Sequence, residues 1–236
     1  MIIYGRNAIR ESLKAGKVTS LLVLKRFADD PIIGEARSEN ISVKFVEDDE
    51  LTRMARNPSH QGFVAIVQDY APVSLSDIIS SAKEKRYPLI LMLDGIEDPH
   101  NFGAILRSAD AFGVDGIVIK KRNEVPLNST VAKVSTGAIN WVKVAIVSNL
   151  SQAIEQLKKS GFWIVASDGS GKQDYDKVDY KSPIALVIGS EGSGIAPLVL
   201  KNSDFIVKIP MTGHVNSLNA SVASAVIVSE IVRSRK

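Results

Sequence analysis

Short apolar runs separated by helix-like stretches constrain the fold of this chain more than any other feature. From Leu89 onward, six runs of four or five mostly apolar residues lack a regular polar alternation. Such runs are typical of strands buried on both faces, as in a parallel sheet covered by helices. The runs are Leu89–Leu93, Gly116–Ile119, Trp141–Val144, Phe162–Ala166, Ala185–Ile188 and Phe205–Ile209, and the predicted helices are Gly103–Phe112, Leu150–Ser160, Ile195–Asn202 and Leu218–Val232. This alternation predicts an α/β domain with a mostly parallel sheet.

The first seventy residues are predicted to form a smaller α/β unit. Its strand candidates are Leu21–Leu24, Val43–Val46 and Phe63–Val67, and its helix candidates are Asn7–Ala15 and Asp48–Ala55. The stretch between the units contains a proline, several serines and a charged cluster, and a short connecting helix is predicted over Leu75–Ala82. We therefore divide the chain into a first domain at residues 1–70, a linker at 71–86 and a second domain at 87–236.

Composition excludes several classes of site. The 236 residues include no cysteine and three histidines, which excludes disulfides, thiolate catalysis and Cys-ligated metals and leaves little for any metal site. No apolar run reaches the roughly 18 residues that a membrane span needs, and the N-terminus lacks a secretory signal. We expect a cytoplasmic protein without bound metal.

Charge alone does not identify a nucleic-acid-binding protein, because the formal net charge is only +3. The local pattern is more informative, since Arg6, Arg10, Lys14 and Lys17 recur at helical spacing and would lie along one side of a helix. Two interpretations stay open. The stripe is either a solvated helix face or a surface that contacts phosphates.

Polar residues follow the first apolar run, at the end of the strand where open α/β sheets bind ligands. Asn101 is a candidate cap for the following helix, and Gly103 leaves no bulk near the helix start. Arg107 falls opposite the apolar side of that helix. It is either a surface residue paired with Asp110 or a side chain that binds a phosphate in a bidentate manner.

A glycine-rich turn, Gly189 to Gly194, follows the fifth run. Its spacing does not fit the G-x-G-x-x-G dinucleotide fingerprint, and it lies too late in the chain to open a nucleotide-binding domain. What remains is a tight turn whose backbone N–H groups can approach a flat ligand. Glu191 is either a structural cap or a hydrogen-bonding partner of substrate. A further glycine turn, Asp168–Gly171, has no assigned role.

The last apolar run leads into a turn and a final helix. Pro210 and Gly213 require a turn, and Asn216 or Ser217 is expected to cap the helix. The small side chains of Ala220, Ser221, Ala223 and Ser224 leave little bulk on much of the helix surface, which suits close helix packing. Taken alone, this pattern is typical of a buried helix and also suits close contact with another subunit.

Three segments in this order, Asp98–Ala109, Leu186–Gly194 and Ile209–Ala225, resemble the three motifs of the SpoU/TrmH family of RNA ribose 2′-O-methyltransferases, within the SPOUT superfamily. The resemblance implies a catalytic domain with a deep trefoil knot that binds S-adenosylmethionine (SAM). Carried over residue by residue, it implies SAM contacts at Gly189, Ile209 and Leu218, and catalytic roles for the set Asn101, Arg107, Glu191, Ser217 and Asn219. Arg107 is the expected central catalytic residue, organising the phosphate beside the target ribose.

The N-terminal segments Tyr4–Ala8 and Pro58–Gly62 resemble the small RNA-binding domain of the two-domain branch of this family, which methylates a guanosine of 23S rRNA. The resemblance implies a homodimer that acts on 23S rRNA, with His60 as a candidate RNA contact. The cationic stripe on the first predicted helix adds Arg6, Arg10 and Lys14 as further candidate RNA contacts. Three alternatives stay open: a tRNA methyltransferase, a resistance-type rRNA methyltransferase, and a non-catalytic RNA-binding factor of ribosome assembly.

Overall fold

All 236 residues are described by a computed structural model, and they form two units. The eleven strands are β1 Ile2–Tyr4, β2 Val18–Leu24, β3 Ser42–Val46, β4 Phe63–Val67, β5 Leu89–Asp94, β6 Gly116–Lys120, β7 Val144–Val147, β8 Trp163–Ser167, β9 Gln173–Asp174, β10 Ile184–Gly189 and β11 Phe205–Lys208. The nine helices are α1 Arg6–Lys14, α2 Pro31–Ser38, α3 Asp48–Ala55, α4 Leu75–Ala82, α5 Pro99–Ala111, α6 Ser129–Val134, α7 Leu150–Lys159, α8 Pro197–Lys201 and α9 Ala220–Ser234. None of these helices has the length and apolar character that a membrane crossing requires.

The first unit comprises residues 1–71 together with residues 126–141. Its four strands form a mixed sheet in the order β1-β4-β2-β3, in which only β2 and β3 are parallel. One face buries Leu22, Leu51 and Val64 in a small core under α3. The strand β1 and the helix α2 were not predicted from the sequence, because three residues are too few for a pattern and α2 has apolar residues at only part of its length.

Residues 126–141 pack with the first unit although they lie far along the chain. The Lys133 ammonium lies 4.3 Å from the centre of the Tyr4 ring, and the indole N–H of Trp141 donates to Glu11 at 3.2 Å. The strand predicted over Trp141–Val144 is therefore wrong except at its last residue, since the observed strand is Val144–Val147. The observed strand β7 begins at Val144, and Trp141 is half exposed because its indole is engaged at the surface of this unit.

The second unit comprises residues 72–125 and 142–236. Its seven strands lie in the order β7-β6-β5-β10-β8-β11-β9, and all neighbouring pairs are parallel. Every residue of β5 is buried, as expected for a strand covered on both faces. This confirms the α/β fold class and the mostly parallel sheet.

The helix predicted over Leu75–Ala82 has these bounds in α4. A capping box, in which Ser74 and Asp77 hydrogen-bond each other's backbone N–H, fixes its start. Its apolar face, with Leu75, Ile78 and Ile79, packs into the core of the second unit. The stretch between the two predicted domains thus contributes to the larger core rather than forming a loose linker.

The end of α9 is fastened by one side chain. The guanidinium of Arg235 donates hydrogen bonds to four backbone carbonyls, at 2.8 to 3.2 Å, in the segments that precede β5 and β10. These acceptors belong to Tyr87, Pro88, Tyr180 and Ser182. Burial lowers the pKa of Arg235 to about 10, so the group stays charged at neutral pH.

We expect Arg235→Met to lower the free energy of unfolding by about 2–4 kcal/mol, because it leaves four carbonyls without their charged donor. The matched control is Arg233→Met, which removes an exposed i,i+3 ion pair with Glu230 and should change stability by no more than about 0.5 kcal/mol. Urea unfolding measures both values. Equal losses in the two variants would contradict this account of Arg235.

Candidate functional site

The candidate site lies where three parallel strands of the second unit end. In the register of β5 and β10, Gly189 lies beside Asp94, so the segments that leave these central strands start side by side. The chain leaves β5 toward β6 and β7 on one side, whereas β8 and β11 lie on the other side of β10. Such a reversal of direction leaves a crevice at the carboxyl ends of the strands, which is where open α/β sheets bind ligands.

The glycine turn after β10 is closed by its own backbone. Ser190 and Gly194 exchange two N–H to carbonyl hydrogen bonds at 3.1 and 3.2 Å. A Cβ at Gly189 would lie 2.4 Å from the carbonyl carbon of Gly194, a distance that side chains do not tolerate. Position 189 is therefore restricted to glycine by the backbone that folds back over it.

A buried carboxylate joins this turn to β5. Asp94 is 4% exposed, and its Oδ2 accepts a hydrogen bond from the Ala196 N–H at 2.8 Å. Its Oδ1 forms an ion pair with the Lys120 ammonium at 2.5 Å. The two oxygens thus fix the segment after the glycine turn and the end of β6 to the end of β5.

A second carboxylate holds the turn that leads from β5 to α5. Glu124 Oε1 accepts from the Gly95 N–H at 2.6 Å, and Oε2 accepts from the Ile96 N–H at 2.8 Å. Gly95 has a φ of 88°, a conformation that favours glycine. Burial raises the pKa of Glu124 to about 7, although these backbone hydrogen bonds and Lys120 oppose the shift.

Both helices of the site are capped two or three residues from the predicted caps. Helix α5 begins at Pro99, and its cap is Asp98, which accepts from the His100 N–H at 3.0 Å. Helix α9 begins at Ala220, and its cap is Asn219. The predicted capping roles of Asn101 and of Asn216 or Ser217 are therefore wrong. Proline favours the first helical position, which moves the start of α5 toward the N-terminus and leaves Asn101 on the helix.

Three side chains from the three motifs form one hydrogen-bonded network. Asn219 Nδ2 donates to Asn101 Oδ1 at 2.8 Å and also to Glu191 Oε1. Asn101 Nδ2 donates to the same Glu191 oxygen at 3.1 Å. Both amide hydrogens of Asn219 are thereby used, whereas Glu191 Oε2 and the second amide hydrogen of Asn101 remain available to a ligand.

Arg107 does not join this network. It follows Asn101 by six positions on α5, which corresponds to about 600° of helical rotation and therefore to a different face of the helix. The residue is exposed, as its position opposite the apolar side predicts. The structure brings together Asn101, Glu191 and Asn219 of the predicted catalytic set, and it leaves Arg107 apart from them.

A cavity of about 360 Å³ lies beside the network, at the ends of β8, β10 and β11. All three positions predicted to contact SAM line it, namely Gly189, Ile209 and Leu218. Glu191 and Ser217 line it as well, so the network and the cavity share a wall. The rest of the wall comes from the end of β10 and the glycine turn, from Asp168 and its neighbours at the end of β8, and from Met211, Asn216 and Ala223.

The predicted RNA contacts lie in the first unit, and the structure changes their interpretation. Arg6 forms an ion pair with Asp30, Arg10 with Glu35 at 3.3 Å, and Lys14 with Glu11 at 2.7 Å. The cations of α1 are thus already partnered by carboxylates of their own unit. An RNA phosphate would have to compete with these carboxylates.

His60 is not a surface contact. It is 2% exposed, and its Nδ1 accepts from the Gly62 N–H at 3.1 Å. A neutral imidazole that accepts at Nδ1 carries its proton on Nε2, which lies 3.1 Å from the Thr52 hydroxyl. The prediction that His60 contacts RNA is therefore wrong, because the ring is enclosed and supports the turn before β4.

Sequence reasoning assigned no role to three ionic residues that support the site, which are the buried Asp94 and the partly buried Lys120 and Glu124. Asp94 and Lys120 directly follow the runs predicted as strands, Leu89–Leu93 and Gly116–Ile119, so their positions offered a signal at the carboxyl edge of the sheet. Glu124 lies in a charged stretch after β6 that nothing in the local sequence distinguishes from solvent-exposed loop. Only the folded chain brings its carboxylate to the turn after β5.

Comparisons with known proteins agree with the motifs over the whole chain. Residues 88–229 match the SpoU rRNA methylase family, and residues 2–73 match the substrate-binding domain of RNA 2′-O ribose methyltransferases. A protein of Staphylococcus aureus (strain COL) assigned to the TrmH family of tRNA/rRNA methyltransferases is 43% identical over 239 residues, covering 99% of this chain and 96% of its own length.

Two solved structures show the same fold. The SpoU methyltransferase AviRb from Streptomyces viridochromogenes, in complex with SAM, has a TM-score of 0.84 and 26% identity, covering 100% of this chain and 90% of its own. The SAM-bound rRNA methyltransferase from Sinorhizobium meliloti has a TM-score of 0.82 and 25% identity, covering 98% of this chain and 86% of its own.

Stability should depend on pH through Glu124. Its folded-state pKa of about 7 lies above the ordinary value of 4.5, so the folded protein binds this proton more tightly than the unfolded chain. The stabilisation that this proton contributes is complete below pH 4.5 and is lost as the pH rises through about 7. We expect Glu124→Gln to flatten this dependence.

Urea unfolding at pH 5, 6, 7 and 8 measures the effect. The control is Glu155→Gln on the exposed side of α7, which should leave the pH dependence of the parent protein unchanged. If the free energy of unfolding changes between pH 5 and 7 in Glu124→Gln as it does in the parent protein, another group is responsible.

Proposed function

Since the chain belongs to the SpoU/TrmH family of RNA methyltransferases, we propose that it methylates the ribose 2′-hydroxyl of a guanosine in 23S rRNA, with SAM as the methyl donor. The observation that carries the proposal is the meeting of all three motifs around one cavity and one polar network. The proposed location is the cytoplasm, where ribosomal RNA is modified in bacteria, the source of the relatives described above.

The cavity fits the cofactor of the family. Its walls combine aliphatic side chains, Ile209 and Leu218, with the closely packed backbone of the glycine turn. Aliphatic walls suit the faces of a purine, and turn N–H and carbonyl groups suit its polar edge. When bound, SAM supplies an electrophilic methyl group. The protein must then position a ribose hydroxyl and accept its proton.

The open hydrogen-bonding groups of the network suit a ribose hydroxyl. Glu191 Oε2 is an unused acceptor, and Asn101 has an unused amide hydrogen, so the two can fix a hydroxyl by accepting from it and donating to it. Asn219 holds both side chains in place. Ser217 lines the same cavity and offers a further hydroxyl.

Arg107 would act on the phosphate beside the target ribose. A guanidinium remains protonated below about pH 12, so it is a poor proton acceptor and a good bidentate partner of phosphate. Its exposure suits contact with a large substrate. We therefore assign Arg107 an electrostatic and positioning role in the reaction.

The choice of rRNA rests on the first unit and on the relatives. Residues 2–73 match a substrate-binding domain of RNA 2′-O ribose methyltransferases, and the SAM-bound structure that spans 98% of this chain is an rRNA methyltransferase. Target selection by such domains depends on RNA shape, so the experiment must compare RNAs directly.

The test is transfer of labelled methyl groups from SAM to naked 23S rRNA and, separately, to bulk tRNA. The modified position is mapped by resistance of its 3′-phosphodiester to alkali. We expect one resistant site in 23S rRNA and loss of roughly 100-fold or more of the activity in Arg107→Ala, with SAM binding retained. Arg107→Lys should recover little, since lysine lacks the planar fork, and Arg233→Ala is the surface control.

Other outcomes distinguish the alternatives. A single resistant site in tRNA would assign the protein to tRNA modification. A resistant site at a nucleotide other than guanosine would contradict the base assignment. SAM binding without transfer to either RNA, or to assembled ribosomal particles, would contradict catalysis and favour an RNA-binding assembly factor.

We also propose that the active unit is a homodimer in which Arg107 serves the cavity of the partner subunit. Arg107 lies apart from the network of its own chain, and apolar side chains of this unit are exposed, among them Leu198 at 57% and Val222 at 47%. A second subunit packed against these side chains would remove their apolar surface from water.

Mixing two inactive variants tests this arrangement. If Arg107 acts on the partner's site, a heterodimer of Arg107→Ala and Glu191→Gln contains one intact site. About half of the dimers in a random mixture are heterodimers, so the mixture should regain about a quarter of the parental activity. If Arg107 acts within its own chain, the mixture should stay inactive. Light scattering measures the oligomeric state of each sample, and a monomer would contradict the proposal.

A further inference from the structure

The cavity beside the catalytic network is lined by only two charged side chains, and both are carboxylates, Asp168 and Glu191. No lysine, arginine or histidine lines it. A concave site whose charges are all negative concentrates positive ligands and disfavours negative ones. The lining thus selects a ligand by charge as well as by shape.

The two carboxylates differ in what they already bind. Glu191 Oε1 accepts from the side-chain amides of Asn101 and Asn219 and from the Ala220 N–H at 3.3 Å. Asp168 uses only its Oδ1, which accepts from the Ser170 N–H at 2.9 Å and the Ser170 hydroxyl at 2.6 Å. Asp168 Oδ2 accepts no hydrogen bond and has no cationic partner.

The position of Asp168 is fixed by backbone. Its N–H donates to the Val207 carbonyl at 2.9 Å, and the Gly171 N–H donates to the Asp168 carbonyl at 3.0 Å. The free oxygen faces the glycine turn, since a Cβ at Gly194 would lie 3.5 Å from Oδ2. A half-buried carboxylate oxygen without a partner is thus held at the cavity wall.

We propose that Asp168 is a further cofactor-binding residue, whose carboxylate recognises a cationic group of SAM. This rests on the proposed function in one respect, that the cavity is the SAM site. SAM carries an ammonium and a sulfonium, whereas its demethylated product, S-adenosylhomocysteine, retains only the ammonium. Methylthioadenosine, a neutral thioether, carries neither. Because an ion pair in a partly enclosed site is less screened than one in bulk water, the charge of Asp168 should contribute to affinity.

Isothermal titration with these three ligands measures the contribution. The variant is Asp168→Asn, which removes the charge and keeps an oxygen that accepts from Ser170. We expect its affinity for SAM to fall by roughly tenfold and its affinity for methylthioadenosine to change by less than about twofold. The control is Asp179→Asn, an exposed aspartate outside the cavity that gives the same change in net charge and should alter none of the three affinities.

Comparison of SAM with S-adenosylhomocysteine identifies which cation is recognised. A loss of affinity for SAM alone assigns the sulfonium, whereas an equal loss for SAM and S-adenosylhomocysteine assigns the ammonium. Either result supports the proposal. Equal losses for all three ligands would overturn it, because the variant would then have damaged the cavity itself. Unchanged binding of SAM would overturn it as well.

If Asp168→Asn has a lower melting temperature than the parent protein, Asp168→Ser is used as a second variant. Its hydroxyl keeps a hydrogen-bond acceptor for the turn. Binding is measured without RNA, so the result does not depend on the proposed RNA target. SAM binding by the parent protein with no methyl transfer would contradict the proposed function and leave the assignment of Asp168 standing.

Discussion

The buried carboxylate of Asp94 is the interaction on which the site depends. Removing such a group from water is unfavourable, and it is tolerated only when both oxygens find strong partners. Asp94 meets this condition with an ammonium on one oxygen and a backbone N–H on the other. Those partners lie at the end of β6 and after the glycine turn, so the same contacts that satisfy the charge also align three segments of the site.

Glu124 extends this support to the next turn. Its two oxygens hold consecutive backbone N–H groups at the exit from β5, from which α5 carries Asn101 into the polar network. The network is therefore positioned from two sides, by ionic groups beneath the turns and by the helix cap at Asn219. Side chains that must hold a hydroxyl within hydrogen-bonding distance need such support, because small displacements strongly reduce the rate of an oriented reaction.

The arrangement also separates two tasks within one cavity. Glu191 has its charge compensated by amide donors and keeps its second oxygen free, whereas Asp168 keeps an uncompensated oxygen at the carboxyl end of the neighbouring parallel strand β8. Arg107 belongs to neither group. Under the role proposed for Arg107, its place on another face of α5 requires either a large substrate that bridges the two positions or a second subunit.

Much of the fold was determined by the sequence alone. Buried parallel strands must be apolar throughout, so the runs at Leu89–Leu93 and Ala185–Ile188 identified β5 and β10 within one or two residues. The three motifs identified the family, and the short helix predicted over Leu75–Ala82 has the predicted bounds. Tertiary structure decided what local pattern does not encode: that residues 126–141 pack with the first unit, that His60 is enclosed, and that Glu124 reaches the turn after β5. Periodicity reports which face of a segment avoids water, whereas a buried charge is specified by partners that are distant in the sequence.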